Sequence, residues 1–433
     1  FGKTGPHKDD LDKIESDRPV ILLDYWGHST WVNSRALEVA GIDSDTRDII
    51  PGFSFYQRDE SGEPTGWITE SASSVFINNF LSITPTVEDE LVDFMVYLRN
   101  LGVTTLLDAG NFGIDDETYA SLSKLDRAGR LPLRYHASFT LFLPQDYDTA
   151  IDQLKALNLK YGSDRLRIDT LKIFHDGVIE TRTADMFEDY LDTPGNSGDS
   201  LFSEEQLHDL IIDLSEEKIN LHVHSVGDKS TNKILNAIEH AHETLGKPPS
   251  IRIALCHLET VLDTDFYRFK DLGVIASFTP AWHGHVADHN TIAAIGEKAL
   301  SQMRAQPMIA DNAIITFSSD ITTKQGWLDE QANPYHGMQI GHNRQPIEGN
   351  SKARYAPPRS ERIRLDTLVD GYTINGAHQL GRSDELGSIE VGKIADLIVL
   401  NQNLFEVNRY EVHKTRPIAV IMDGELVYGK FDF

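Results

Sequence analysis

Cysteine, basic residues and long apolar runs are scarce in this sequence. One cysteine, Cys256, stands among 433 residues. That excludes a disulfide within the chain and any zinc cluster built on thiolates. It is compatible with a reducing compartment, and a cytoplasmic location is the working expectation. Lysine and arginine number 40 against 67 aspartates and glutamates, a net charge of −27. Repulsion from phosphate then argues against a nucleic-acid partner or an anionic membrane surface. No stretch approaches the ~18 uninterrupted apolar residues of a membrane helix. Low-complexity blocks and short fixed repeats are absent. No glycine-rich phosphate loop follows an apolar run, which counts against a dinucleotide-binding fold. What remains is an ordinary globular composition, 40% hydrophobic and 25% charged, with enough apolar material for a sizeable core.

A loose unit recurs: an apolar, β-branched run, a polar loop, then a helical pattern. The runs fall at 103–108, 133–140, 168–174, 219–224, 251–257, 274–279 and 313–319. Amphipathic stretches lie between them at 87–101, 149–161, 203–217, 229–245 and 263–272. Runs this apolar, alternating with helices, read as buried parallel strands joined by crossover helices. Seven in series favour an α/β fold of the (β/α)8 TIM-barrel kind over an open sheet. Two regions break the rhythm. Residues 28–80 hold glycine, proline and charge in loop-like order and read as an insertion over one end of the barrel. From about Gly381 the helical patterns stop, and short strands are expected at 388–391, 394–400, 418–421 and 425–428. The last two are joined at Asp423-Gly424, a hairpin signal. The expected organisation is a barrel over 1–380 and part of a small β-sandwich over 381–433.

Polar residues sit at the C-terminal ends of the apolar runs. Lys172 lies in Leu171-Lys172-Ile173-Phe174, His222 and His224 in Leu221-His222-Val223-His224; His257 and Asp320 end their runs. Strand C-termini of a barrel converge on one mouth, so these residues should meet there. Imidazole and carboxylate suit zinc and similar divalent ions. Taken singly, each histidine is more often a hydrogen-bonded core or loop residue, and Asp320 would serve as a helix N-cap. His222 and His224 share one face of a strand, because side chains alternate with period two. Lys172 has two readings of equal weight. Its ammonium is paired with Asp176 or another carboxylate, or its neutral amine has captured carbon dioxide as a carbamate, an anionic metal ligand.

Several segments carry a family resemblance. Lys172-Ile173-Phe174-His175-Asp176-Gly177 followed by Thr181-Arg182-Thr183-Ala184 resembles the lysine strand of amidohydrolase family 3, within the amidohydrolase superfamily. That family includes N-substituted formamide deformylases and proteins called exoenzyme regulatory proteins. Gly27-His28-Ser29-Thr30-Trp31-Val32-Asn33-Ser34-Arg35-Ala36-Leu37 is similar to its segment before the insertion, and Gly62-Glu63-Pro64-Thr65-Gly66-Trp67 to the insertion itself. Val223-His224-Ser225-Val226-Gly227-Asp228, Ser318-Ser319-Asp320 and Gly387-Ser388-Ile389-Glu390-Val391-Gly392-Lys393-Ile394-Ala395-Asp396-Leu397 are similar to its fifth-strand, eighth-strand and tail motifs.

The resemblance implies a carboxylated Lys172 bridging two ions, His224 and His257 on the second ion, and Asp320 as ligand of the first and as general base and acid. His222 does not match the family's ligand position and stands as a neighbour or alternative ligand. His28, Trp31, Arg182, Trp282 and His283 would line the substrate side. The implied activity is metal-dependent hydrolysis of a C–N bond in a small-molecule amide, formamide or cyclic amide. One or two zinc ions per chain are implied, and a homodimer is the default assembly. A non-enzymatic regulatory or binding protein on the same scaffold, or a C–O hydrolase or deaminase using the same centre, are the alternatives. One departure stands out. The family's first ion needs a His-x-His pair on the first barrel strand, and none occurs before residue 100. His283-Gly284-His285 follows the seventh run and cannot take its place. Since Phe1 is not a natural start, the expectation is a trimmed chain, with that strand and any signal sequence lying upstream.

Overall fold

The computed structural model describes residues 5–24, 27–80, 85–111, 113–285, 287–321 and 331–430. An amino-terminal lobe comes first. Strands β1 (Ile21–Leu23), β2 (Ser29–Val32), β3 (Tyr56–Arg58) and β4 (Pro64–Thr69) form an antiparallel sheet in the order β1-β2-β4-β3. Val32, Tyr56, Ile68 and Phe76 fill a small core of their own beneath it. The segment expected as a loop-like insertion is therefore a sheet, and it begins earlier than residue 28, at β1.

The main body is a curled parallel sheet of seven strands: β5 (Thr105–Asp108), β6 (Arg134–Leu141), β7 (Leu166–Phe174), β8 (Asn220–Ser225), β9 (Ile253–His257), β10 (Ile275–Phe278) and β11 (Ile315–Phe317). Each pairs with its sequence neighbour, every pair parallel. These are the seven apolar runs of the sequence, joined by crossover helices as a TIM-type barrel requires. Beyond β11 the chain turns back toward β5: the Tyr335 hydroxyl donates to the Leu101 carbonyl at 3.3 Å.

Alternation within the strands sorts core from site. Leu171, Ile173, Leu221, Val223, Leu255 and Ala276 face outward into one large core with Leu207, Leu210, Ile211 and Leu214 of helix Glu204–Glu217 and Ile234 and Ile238 of helix Asp228–Leu245. The first of these helices starts at a capping box, with Ser203 and Gln206 satisfying each other's backbone N–H groups. One expected helix is shorter than its pattern: only Arg268–Leu272 of 263–272 is helical.

The tail forms a three-stranded antiparallel sheet of β12 (Leu397–Leu400), β13 (Pro417–Met422) and β14 (Glu425–Gly429). Residues 388–391, expected to be extended, form no strand. The Asp423-Gly424 turn has φ of 54° and 80°, as a two-residue hairpin of this type demands. The sheet is bolted to the barrel by Arg134, only 4% exposed in its side chain. Its guanidinium donates to Asp396 at 2.5 and 3.2 Å and also to Asp423. Removing one member of a buried charge cluster strands the others, at a cost of about 3 kcal/mol. Arg134→Ala should lower unfolding stability in urea by about that amount. Asp423→Ala, at a more exposed partner, should cost less than half as much.

Candidate metal centre at the barrel mouth

Register brings the polar residues together. Lys172 of β7 stands beside His222 of β8, and one pleat higher Phe174 stands beside His224. His224 in turn neighbours Cys256 of β9. The inward faces of three consecutive strands therefore carry Lys172, His222, His224 and Cys256, and His257 closes β9 at the rim.

Lys172 is 2% exposed. The ion pair weighed from the sequence does not form. Asp176 instead accepts backbone N–H groups of Val226 (3.0 Å), Gly227 (2.8 Å) and Asp185 (3.1 Å). Among the described residues no carboxylate lies within ion-pair distance of the Lys172 amine. Its Nζ meets Cys256 Sγ at 3.4 Å and lies 4.7 Å from the centre of the Phe174 ring.

His224 and His257 meet edge to face, ring centres 4.5 Å apart. Burial, with the positive charges of neighbouring groups, holds both imidazoles well below their usual pKa, so both are neutral at pH 7. Neutral imidazole is the form that binds a metal. The Nε2 of His224 donates to the Gly177 carbonyl at 3.1 Å, which leaves Nδ1 as its electron-pair donor. His257 Nδ1 is buried with no hydrogen-bond partner and lies 3.9 Å from Asp320 Oδ2. Asp320 keeps 35% of its side chain exposed. The mouth walls raise its carboxyl above the usual range, with Lys172 and His28 opposing. Among the described residues no three His, Cys, Asp or Glu side chains are drawn tightly enough to grip an ion unaided. The orphaned His257 nitrogen 3.9 Å from a carboxylate, and two neutral imidazoles in contact, nonetheless fit a divalent cation by the chemistry of their donors.

The backbone is strained here. His257, Asp320 and Glu70 have φ of 74°, 47° and 53°. Non-glycine residues adopt such values at a cost of roughly 1–3 kcal/mol each, and they cluster at functional sites. Gly110 clears space over the lysine: a Cβ there would lie 2.4 Å from Thr140 Oγ1 and 3.9 Å from Lys172 Cγ.

The amino-terminal lobe adds His28, whose ring centre is 5.1 Å from that of His224. Its Nδ1 is 2.7 Å from Glu70 Oε2. Burial lowers the imidazole pKa, but the Glu70 charge and hydrogen bond, with Asp24 and Asp320, outweigh it and hold the pKa up at about 9. Trp282 stacks on His257, ring centres 5.4 Å apart and 12° from parallel.

The mouth thus gathers Lys172, His224, His257, Asp320, His28 and Trp282. His222 sits one layer below, its Nδ1 3.4 Å from Gln379 Nε2. Three residues expected on the substrate side take structural contacts. Arg182 ties its own loop, donating to the Glu180 carbonyl at 2.6 Å and to Asp192. Trp31 donates its indole N–H to the His7 carbonyl at 3.0 Å. His283 is buried edge-on to Phe278, on the outward side of β10. Sequence reasoning missed Glu70 and Gln379. Glu70 was findable as a carboxylate three residues past the Gly62–Trp67 motif, at the end of an apolar stretch; Gln379 carried no signal.

A barrel with imidazoles, a carboxylate and a buried lysine at its strand C-termini is the metal-dependent hydrolase type of TIM barrel. The profile of the Amidohydrolase family matches residues 2–428, and the chain belongs to that family, in the branch called amidohydrolase family 3. The exoenzymes regulatory protein AepA of Pectobacterium carotovorum is 28% identical over 68% of this chain and 62% of its own length. The chain's match thus spans less than two thirds of that relative. An N-substituted formamide deformylase of Arthrobacter pascens is 25% identical over 98% of this chain and 76% of its own. Among solved structures, an uncharacterized metal-dependent hydrolase from Pyrococcus furiosus superposes with a TM-score of 0.63 at 25% identity, covering 90% of this chain and 73% of the other.

Burial pushes the Cys256 thiol up to about 11. Thiolate is the reactive form, so Cys256 should be nearly inert to Ellman's reagent at pH 8 in the folded protein and react at once in guanidinium. Fast labelling of the native protein would contradict this burial.

Proposed function

We propose that this protein is a metal-dependent hydrolase of a C–N bond in a small-molecule amide, formamide or cyclic amide. The observation that carries the reading is the Lys172 amine, buried with Cys256 Sγ and no carboxylate in ion-pair range among the described residues, at the same mouth as the neutral imidazoles of His224 and His257 and the carboxylate of Asp320. An isolated ammonium there is costly. A carbamate on Lys172 turns the cost into a ligand, since its oxygens would join His224, His257 and Asp320 as donors. Those four residues would hold a divalent ion, zinc by donor chemistry. When bound, such an ion supplies Lewis acidity and makes water acidic enough to lose a proton near pH 7.

The chain's own groups account for the remaining tasks. Asp320, at the rim and partly open to solvent, would take the proton of the attacking water and return it to the leaving nitrogen. The Gly177 carbonyl holds His224 in one tautomer. The Trp282 ring shields His257 from water on one face. The name of the Arthrobacter pascens relative makes N-substituted formamides the first substrates to try.

The regulatory name of the Pectobacterium relative favours a second reading, a binding protein that keeps the pocket without turnover. Metal analysis separates the two. After zinc loading in bicarbonate the hydrolase should hold one or two ions per chain, with the mass of one carbon dioxide added at Lys172. A protein that takes up no zinc fits the binding reading. Asp320→Asn should keep its circular dichroism spectrum and lose turnover by about 10²–10⁴-fold on a panel of amides and formamides. Undiminished turnover would remove Asp320 from its assigned role.

A further inference from the structure

We infer that Glu70 is a positioning residue, and that it fixes His28 as a wall of the substrate site with Nε2 offered to the N–C=O unit of a small amide in the mouth. The inference rests on the reading of the mouth as a hydrolase site and adds to it a residue outside the barrel strands.

Glu70 is clamped on both oxygens. Oε2 takes His28 Nδ1 at 2.7 Å. Oε1 accepts the hydroxyls of Thr183 at 2.6 Å and Thr181 at 3.1 Å. Both threonines belong to the loop that follows the lysine strand. The backbone closes the same tie, since the Glu70 N–H donates to the His28 carbonyl at 2.7 Å. Gly177 leaves the room: a Cβ there would stand 2.1 Å from Thr183 Oγ1 and 2.7 Å from Glu70 Oε1. Glu70 is itself buried and at φ 53°, a conformation its surroundings must enforce. A carboxylate held by three side-chain donors is far more fixed than a surface ion pair.

The consequence falls on His28. With Nδ1 committed to Glu70, only Nε2 is free, and among the described residues it has no hydrogen-bond partner. The side chain stays 14% exposed, so the ring is reachable from the mouth. It contacts His224 on one side and lies within the electrostatic reach of Asp320 on another. The group therefore stands over the pocket with one nitrogen anchored and one open. A structural tie alone has no need of an open, accessible nitrogen next to the proposed ligands.

Isothermal titration of the zinc-loaded full-length protein with acetohydroxamate, a small molecule carrying the N–C=O unit, tests this. His28→Ala and Glu70→Ala should each weaken binding about 10-fold, the effect of losing one well-placed hydrogen bond. The double variant should be no weaker than either single one, because the two act as a unit. Glu70→Gln, which still accepts from Nδ1, should recover affinity to within about threefold of the wild type. Zinc content and melting temperature are measured alongside. If the wild type takes up no zinc, the hydrolase reading fails and the inference with it. If zinc is bound but acetohydroxamate binds no better to the wild type than to His28→Ala, or does not bind at all, the inference alone is overturned. Additive losses, or a Glu70→Gln variant as weak as Glu70→Ala, would reduce Glu70 to a structural brace. Should Glu70→Ala fail to fold, His28→Ala and Glu70→Gln still decide the matter.

Discussion

A buried ammonium group calls for a negative partner, and among the described residues no carboxylate lies within ion-pair distance of Lys172. That constraint organises the mouth of the barrel. The strand carrying Lys172 must put it inward, because its neighbours Leu171 and Ile173 belong to the outer core. Once inward, it meets the inward residues of β8 and β9, which are histidines and a cysteine and not carboxylates. The carboxylate that could have rescued it, Asp176, is occupied by three backbone N–H groups. Under the proposed function, a carbamate on Lys172 would replace that unbalanced positive charge with an anionic donor facing His224, His257 and Asp320.

The architecture was legible because burial and period are written into short stretches. All seven parallel strands, most of the crossover helices and the Asp423-Gly424 hairpin could be read from apolar runs and turn chemistry. The central residues of the mouth were legible for the same reason, since a polar residue interrupting or ending an apolar run is conspicuous. Legibility failed where position depends on contacts between distant segments. The lobe around residues 21–80 looked like loops because its strands are short and its central pairing, of β2 with β4, joins residues 36 to 40 apart. Arg182, Trp31 and His283 belong to motifs close to the site in sequence, yet their side chains turn to Asp192, to the His7 carbonyl and to Phe278. Gln379 reaches His222 from a helix far along the chain, which no local pattern announces.

The two extra sheets hold the barrel in different ways. The tail sheet is joined by a buried arginine and two aspartates, a contact whose value is mechanical. The amino-terminal lobe is joined through Glu70 and His28, a contact made at the mouth itself. Hydrogen bonds of that kind tie the shape of the rim to the loop carrying Thr181 and Thr183, so the lobe and the lysine loop share one geometry.

The left-handed backbone at Glu70, His257 and Asp320 has a consequence for the way this protein changes under selection. These three positions hold side chains at positive φ, and glycine would relax each of them. Random mutagenesis scored only on thermal tolerance should therefore drift toward glycine at the rim and erase the site while improving the fold. The strain marks where the molecule gives up stability to keep side chains in place, and a selection that ignores the chemistry will reclaim it.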